Sequence, residues 1–398
     1  MISIAARTAR IAPFYVMEIA KEAARLQAAG QPVIYLNIGE PDFTAPPAVV
    51  EAAQRAIAAG ATGYTPALGL PSLRRAIAAD YQRVFGLKVD AERIVVTAGA
   101  SAALLLAVAA CVDPGAGVLL PDPTYPCNRN FVEAFDGEPQ LVPCPAATRF
   151  QLTPQLADPA WRANTRGMIV ATPSNPTGTS IPPATLGALL ALAQERGGFA
   201  IVDEIYQRLT YDAPPSTALS MSDEAIVINS FSKYFNMTGW RLGWLVVPHP
   251  LVPVVERLAQ NLYICPPAVA QRAALACFLP DSIAIYEERR LEFRRRRDFV
   301  VAELTRIGFE VPAVPDGAFY AYVDVGSFST DSWQFAFDLL HETGVCVAPG
   351  RDFGTNETHR YVRVSYATDM ALIAEAMERI ARYLAGSKRR SAAGERTS

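Results

Sequence analysis

The sequence is short of amines. Lys and Arg together number 36 of 398 residues, yet only Lys21, Lys88, Lys233 and Lys388 are lysine. Chemistry that needs a side-chain amine is therefore confined to four positions. Histidine is scarcer still, with His249, His341 and His359. No HExxH pairing occurs, so no metal site is expected. Without a GxSxG elbow, a Ser-His-Asp hydrolase has no support either. The six cysteines (Cys111, Cys127, Cys144, Cys265, Cys277 and Cys346) are dispersed, with no CxxC. They read as reduced thiols of a cytoplasmic protein rather than a disulfide frame. The longest apolar run, residues 98–112, contains Gly99 and Ser101 and is too short to span a bilayer. The N-terminus lacks the charged-then-apolar pattern of a signal peptide. A net charge of −3 leaves no chain-wide basic footprint for nucleic acid. Neither a membrane nor a nucleic acid is expected as a partner.

Apolar residues make up 51% of the chain and charged residues 19%, enough for a large buried core. The length suggests two domains. Short apolar runs at 94–97, 117–121, 167–171, 199–203, 225–229 and 242–247 read as buried strands. Helical patterns at 101–111, 126–135 and 183–196 lie between several of them. Apolar strands alternating with helices predict an α/β fold with a large, mostly parallel sheet covered on both faces. Ligands of such sheets bind at the carboxyl ends of the strands. After residue 279 the texture changes to an α+β unit. It has a charged helix at 282–307, strands at 318–323, 345–348 and 361–365, and helices at 332–341 and 370–384. The Glu and Arg residues of the long helix, Arg294–Arg297 among them, read as a solvated face laced with ion pairs. The stretch 387–398 is small, polar and basic, and is expected to be a disordered tail.

Lys233 is the amine that stands out. It follows a buried strand in Ser230-Phe-Ser-Lys-Tyr-Phe-Asn-Met-Thr-Gly-Trp-Arg, among hydroxyls and aromatics. A desolvated lysine has a lowered pKa and can form a Schiff base. Asp203 closes the run 199–203 and places a carboxylate at the ligand edge, where a helix N-cap is the other reading. Tyr206 projects to the same side if a turn begins there. Thr172-Pro-Ser-Asn-Pro-Thr-Gly displays Asn175 on a rigid turn. Thr97-Ala-Gly-Ala-Ser follows a strand and opens a helix, so its small residues let backbone N–H groups approach an anion. Arg241 offers a forked cation for phosphate, and Ser230 adds a hydroxyl. An amine, a carboxylate, ring-oxygen donors and a phosphate cradle are together what pyridoxal 5'-phosphate requires.

From Asn37-Ile-Gly-Glu-Pro-Asp-Phe to Tyr361-Val-Arg-Val-Ser-Tyr the chain resembles the class I/II aminotransferases of fold type I, the aspartate aminotransferase superfamily. The resemblance implies that Lys233 is the Schiff-base lysine and proton carrier. It implies that Asp203 pairs with the pyridinium, that Tyr206 and Asn175 bind the ring oxygen, and that Tyr125 stacks on the ring. Ala100, Ser101, Ser230 and Arg241 would hold the phosphate. Tyr64 would reach the phosphate of a neighbouring subunit, implying a homodimer. Arg363 and the backbone of Gly39 would bind the substrate carboxylate. On its own pattern, the alternating strand around Arg363 reads more readily as a solvent-facing polar edge than as a ligand site. The implied layout is an N-terminal arm and part of a small domain at 1–45, a large cofactor domain at 46–280, and the rest of the small domain at 281–386. The expected activity is amino transfer between an L-amino acid, neutral or aromatic, and a 2-oxo acid. A carbon–sulfur β-lyase on the same scaffold is the alternative. A cofactor-sensing regulator is a poorer one, because no residues remain for a DNA-binding domain. Ser101 and a helix 101–111 without a basic residue disfavour aspartate as donor. Phe14, Tyr15, Phe319 and Tyr320 are candidates for an apolar substrate pocket, and core packing explains them equally well.

Overall fold

The computed structural model describes residues 2–11 and 13–394, with side-chain environments to residue 386. Its centre is a seven-stranded sheet in the order Ile94–Thr97, Gly243–Val246, Ile226–Ser230, Phe199–Asp203, Thr165–Ala171, Gly117–Asp122, Glu138–Pro143. Neighbouring strands run parallel except Gly243–Val246, which is antiparallel to both of its neighbours. The Val-, Ile- and Leu-rich runs are buried because helices cover both faces. The helix Ala100–Cys111 is apolar all round and correspondingly sunk against the strands Ile226–Ser230 and Gly243–Val246. The strand Glu138–Pro143 has no counterpart in the sequence reading. Pro139 and Pro143 disguise it, and both are tolerated because it lies at the sheet edge.

The C-terminal part forms a three-stranded antiparallel sheet, Ala348–Pro349, Tyr361–Ser365 and Tyr320–Asp324. The N-terminal segment joins this part, since Ile34–Tyr35 pairs in parallel with Val345–Cys346. The expected single strand at 345–348 is thus two short ones with different partners. Tyr361–Ser365 does not present a face to solvent, because all five residues are buried. Arg363 is covered by the rings of Tyr320 and Phe353, 4.4 and 5.0 Å from its guanidinium carbon.

The long helix Pro280–Ile307 is only partly a solvated face. Arg294 and Arg295 are exposed, but Arg296 and Arg297 are buried. Arg296 makes a two-pronged contact with Asp42 at 2.8 and 3.0 Å. Arg297 holds Asp212 and the carbonyl of Pro315. The last helix is Met370–Gly394, longer than expected. The side chains of the basic stretch 387–398 lie outside the described residues. No single helix among the described residues is long and apolar enough to cross a membrane.

Candidate active site

A cavity of about 380 Å³ opens where the parallel strands end. Its walls include Gly39, Ala100, Ser101, Tyr125, Asn175, Asp203, Tyr206, Lys233, Arg241 and Arg363. Residues from seven separate segments meet here: five follow or end a strand of the large sheet at its carboxyl edge, Gly39 follows Ile34–Tyr35, and Arg363 comes from the C-terminal sheet.

Lys233 is partly buried, whereas Lys21 and Lys88 are exposed. Its Nζ donates to the carbonyl oxygen of Gly39 at 2.6 Å. Burial pushes the amine down to about 8; Glu40 opposes the change, while Arg363 and Arg241 add to it. Asp203 ends its strand with 5% of its surface exposed. Its Oδ1 accepts the Ile205 N–H at 3.0 Å. Burial still pushes the carboxyl up to about 6, against the pull of that N–H and of Lys233. The hydroxyls of Tyr206 and Tyr320 lie 2.9 Å apart, and both rings are buried.

Arg363 donates through Nη1 to Asn175 Oδ1 at 2.8 Å and through Nη2 to the Asn37 carbonyl at 2.6 Å. Its buried Nε has no partner among the described residues. Gly99, at φ 84°, turns the chain from the strand Ile94–Thr97 into the helix Ala100–Cys111. A Cβ at Gly99 would lie 2.5 Å from Arg241 Nη2, so only glycine lets the arginine close over this helix end. Arg241 is itself left-handed, at φ 53°, and Nη1 donates to the Thr238 carbonyl at 2.9 Å.

Two expected residues do not line this chain's cavity, Ser230 because its turn uses the hydroxyl and Tyr64 in keeping with an expected place in a neighbouring subunit's site. The Ser230 hydroxyl donates to the Leu242 carbonyl and accepts the Ser232 N–H, so it is consumed in closing the turn that displays Lys233. Ser232 lines the cavity instead. Tyr64 does not line this chain's cavity; 84% of its surface is exposed. Its loop is pinned to the helix Ala268–Ala274 by Arg272 donating to Ala61 and Gln271 donating to Thr65.

Of the four aromatic candidates for a side-chain pocket, Phe14 and Tyr320 line the cavity. Tyr15 packs edge-on against Trp333, and Phe319 is fully buried between Phe293 and Tyr206. Sequence reasoning missed Val16, Met17 and Ala20, which come from the helix Val16–Ala28. It also missed Asp352, whose carboxylate accepts the N–H groups of Tyr15 and Val16. One signal was available: Tyr15 stands at the N-cap and cannot cap, so the first N–H groups of that helix need an acceptor from elsewhere.

The donor set fits pyridoxal phosphate. Lys233 supplies an amine that burial makes easier to deprotonate. Asp203 supplies a carboxylate that, among the described residues, pairs with no cation. A glycine-gated helix end beside Arg241 suits a phosphate.

A family model described as aminotransferase class I and II matches residues 31–380. The chain is 43% identical over 381 residues to the valine–pyruvate aminotransferase of Mycobacterium tuberculosis, covering 94% of this chain and 97% of that protein. It is 34% identical over 392 residues to an aspartate aminotransferase of Rhizobium meliloti, covering 94% and 95%. The crystal structure of an aminotransferase from Mycobacterium tuberculosis superposes with a TM-score of 0.94 at 42% identity, covering 97% of this chain and all of that one.

Proposed function

The chain belongs to the class I and II aminotransferases, enzymes that use pyridoxal phosphate to pass an amino group between an amino acid and a 2-oxo acid, and on that premise we propose that its donor is a neutral L-amino acid with an apolar side chain. The observation that carries this reading is the cavity's charge inventory. Among the described residues lining it, the cations are Lys233, Arg241 and Arg363, and each has a task. Among this chain's own described lining residues, none is left for a second substrate carboxylate. The remaining wall offers Val16, Met17, Ala20, Ile38, Leu104 and Phe353. The name of the valine–pyruvate relative supports an aliphatic donor, and the names of both relatives support transfer rather than β-elimination.

Bound pyridoxal phosphate supplies a carbonyl carbon for the amino group and a ring that accepts the electron pair of the substrate Cα–H bond. Asp203 would pair with the pyridine nitrogen and favour its protonated form. Tyr206 and Asn175 would hold the ring oxygen, and Tyr125 would pack against the ring. The N–H groups at Ala100 and Ser101, with Arg241, hold the phosphate. Arg363 orients the substrate through its α-carboxylate, beside the Gly39 backbone. Lys233 would be the group that takes up and returns the proton of the substrate α-carbon.

The arm 1–45 and the unit 281–386 act as a smaller domain over the unit 46–280. The enzyme works as a homodimer in the cytoplasm. Exposed Tyr64, Leu262 and Ile264 support an interface that carries Tyr64 to the partner's site. The six cysteines are free thiols, as a reducing compartment requires.

A donor screen with pyruvate, 2-oxoglutarate and oxaloacetate tests the substrate class. Valine, leucine and similar donors should exceed aspartate, and a preference for aspartate would overturn it. Borohydride reduction should label Lys233 and no other lysine. Mixing inactive Lys233→Ala chains with inactive Tyr64→Ala chains should restore activity if sites are shared.

A further inference from the structure

We propose that Tyr320 is a positioning residue of the transfer reaction, its hydroxyl donating to Tyr206 and setting how strongly Tyr206 binds the cofactor's ring oxygen. This rests on Tyr206 being a ring-oxygen donor. The two hydroxyl oxygens are 2.9 Å apart, with the rings 4% and 1% exposed, so water does not compete for the contact. Each phenol has one proton. If Tyr206 gives its proton to the ring oxygen, the bond between the two tyrosines must be donated by Tyr320. Among the described residues the Tyr320 hydroxyl has no other partner.

The hydroxyl is also held in place. A Cβ at Gly39 would lie 2.4 Å from it, so the Gly39 loop closes one side. The Arg363 guanidinium sits over the Tyr320 ring, and Phe319 and Tyr206 meet it edge-on at 4.8 and 5.7 Å. A phenylalanine would satisfy each of these ring contacts. The hydroxyl is therefore explained by Tyr206 alone. The charged and titratable groups around the pair are Arg363 on its strand, Asp203 and Lys233 after theirs, and Tyr125 across the cavity.

Hydrogen bonds in a chain polarise one another, so a donor behind Tyr206 makes Tyr206 a stronger donor in front. That favours negative charge on the ring oxygen. Without Tyr320's hydroxyl the bound cofactor should hold its proton more tightly, and the pH midpoint of its visible absorbance change should rise.

The test compares four holoenzymes: wild type, Tyr320→Phe, Tyr206→Phe and the double variant. Each is titrated by visible absorbance and assayed for kcat and KM, with melting of the cofactor-free proteins as a folding check. Tyr206→Phe should raise the midpoint by about one pH unit and Tyr320→Phe by roughly half of that. Tyr320→Phe should lower kcat several-fold with little change in KM, since the ring under Arg363 remains. The double variant should match Tyr206→Phe. An unmoved midpoint in Tyr320→Phe beside a shifted one in Tyr206→Phe overturns the proposal and leaves the Tyr206 role standing. An equal Tyr320→Phe shift in the Tyr206→Phe background also overturns it, because Tyr320 would then act without Tyr206. No shift in Tyr206→Phe sinks the Tyr206 role and the proposal together.

Discussion

Arg363 Nη1 donates to Asn175 Oδ1 across 2.8 Å, tying the C-terminal sheet to the loop after the strand Thr165–Ala171. The bond fixes the Asn175 amide with its oxygen toward Arg363, which leaves Nδ2 free to donate. One contact thus orients the group for the substrate carboxylate and a group for the cofactor ring. Asn175→Ala should strand a buried guanidinium hydrogen and raise KM for the donor about tenfold, the equivalent of roughly 1.4 kcal/mol. Arg363→Lys keeps the charge but loses the fork, and should raise KM further, by about 100-fold. Steady-state kinetics with varied donor at saturating oxo acid would show this. A fall in kcat alone would contradict the positioning argument.

Asp203 gives a pH-dependent stability effect in the cofactor-free protein. Its ordinary pKa of 3.8 is pushed up to about 6 by burial. The folded chain then binds the proton more tightly than the unfolded chain does. Stability is lost as pH rises from about 4 to about 6 and stays lost above that. The charged form therefore costs on the order of 3 kcal/mol at neutral pH. Asp203→Asn keeps an oxygen for the Ile205 N–H and removes the charge. It should raise the melting temperature of the cofactor-free protein by a few degrees at pH 7.5, with the gain vanishing toward pH 4. The same change should weaken cofactor binding. Melting curves across that range provide the check.

The readable parts of this chain were those where side-chain type follows from local need. The strand ends at Thr97 and Asp203, and the turn that displays Lys233, are marked by apolar runs that stop at a polar residue. What stayed hidden depends on distant partners. Arg296 and Arg297 look like solvated charges until Asp42 and Asp212, far away in sequence, pair with them from the surface while the arginines themselves are buried. Tyr320 looks like core until its hydroxyl meets Tyr206, 114 residues earlier. Ser230 carries the expected hydroxyl, but the turn itself uses it. The helix that brings Val16 and Met17 to the cavity depends on Asp352, more than 330 residues away.

Gly99→Ala tests the anion cradle. Alanine at φ 84° is strained, and its Cβ would meet Arg241 Nη2 at 2.5 Å. The arginine must move off the start of the helix Ala100–Cys111, where the N–H groups and the cation are meant to act on one anion. Affinity for pyridoxal phosphate should fall at least tenfold, as expected when a charge-assisted contact worth roughly 1.5–3 kcal/mol is lost. Titration of cofactor-free protein by tryptophan fluorescence or visible absorbance would measure it. Affinity for pyridoxal, which has no phosphate, should change little. An equal loss for both ligands would point to a general distortion of the site instead.

Met17 offers a way to move substrate preference without touching the groups that hold the cofactor. It lines the cavity from the N-terminal helix, and 53% of its surface is exposed, so a charged side chain can be solvated there without unfolding the helix. Met17→Arg would add the second cation that the wall lacks. A half-exposed ion pair with a substrate's distal carboxylate is worth up to about 1 kcal/mol, so kcat/KM for aspartate or glutamate should rise by no more than about fivefold. The valine rate should fall, because the same substitution replaces apolar wall with a hydrated charge. Competition between valine and aspartate in one reaction would measure the ratio directly. If the ratio stayed constant, the side chain of the donor would have to lie against another part of the wall, with Leu104 and Phe353 the next positions to change.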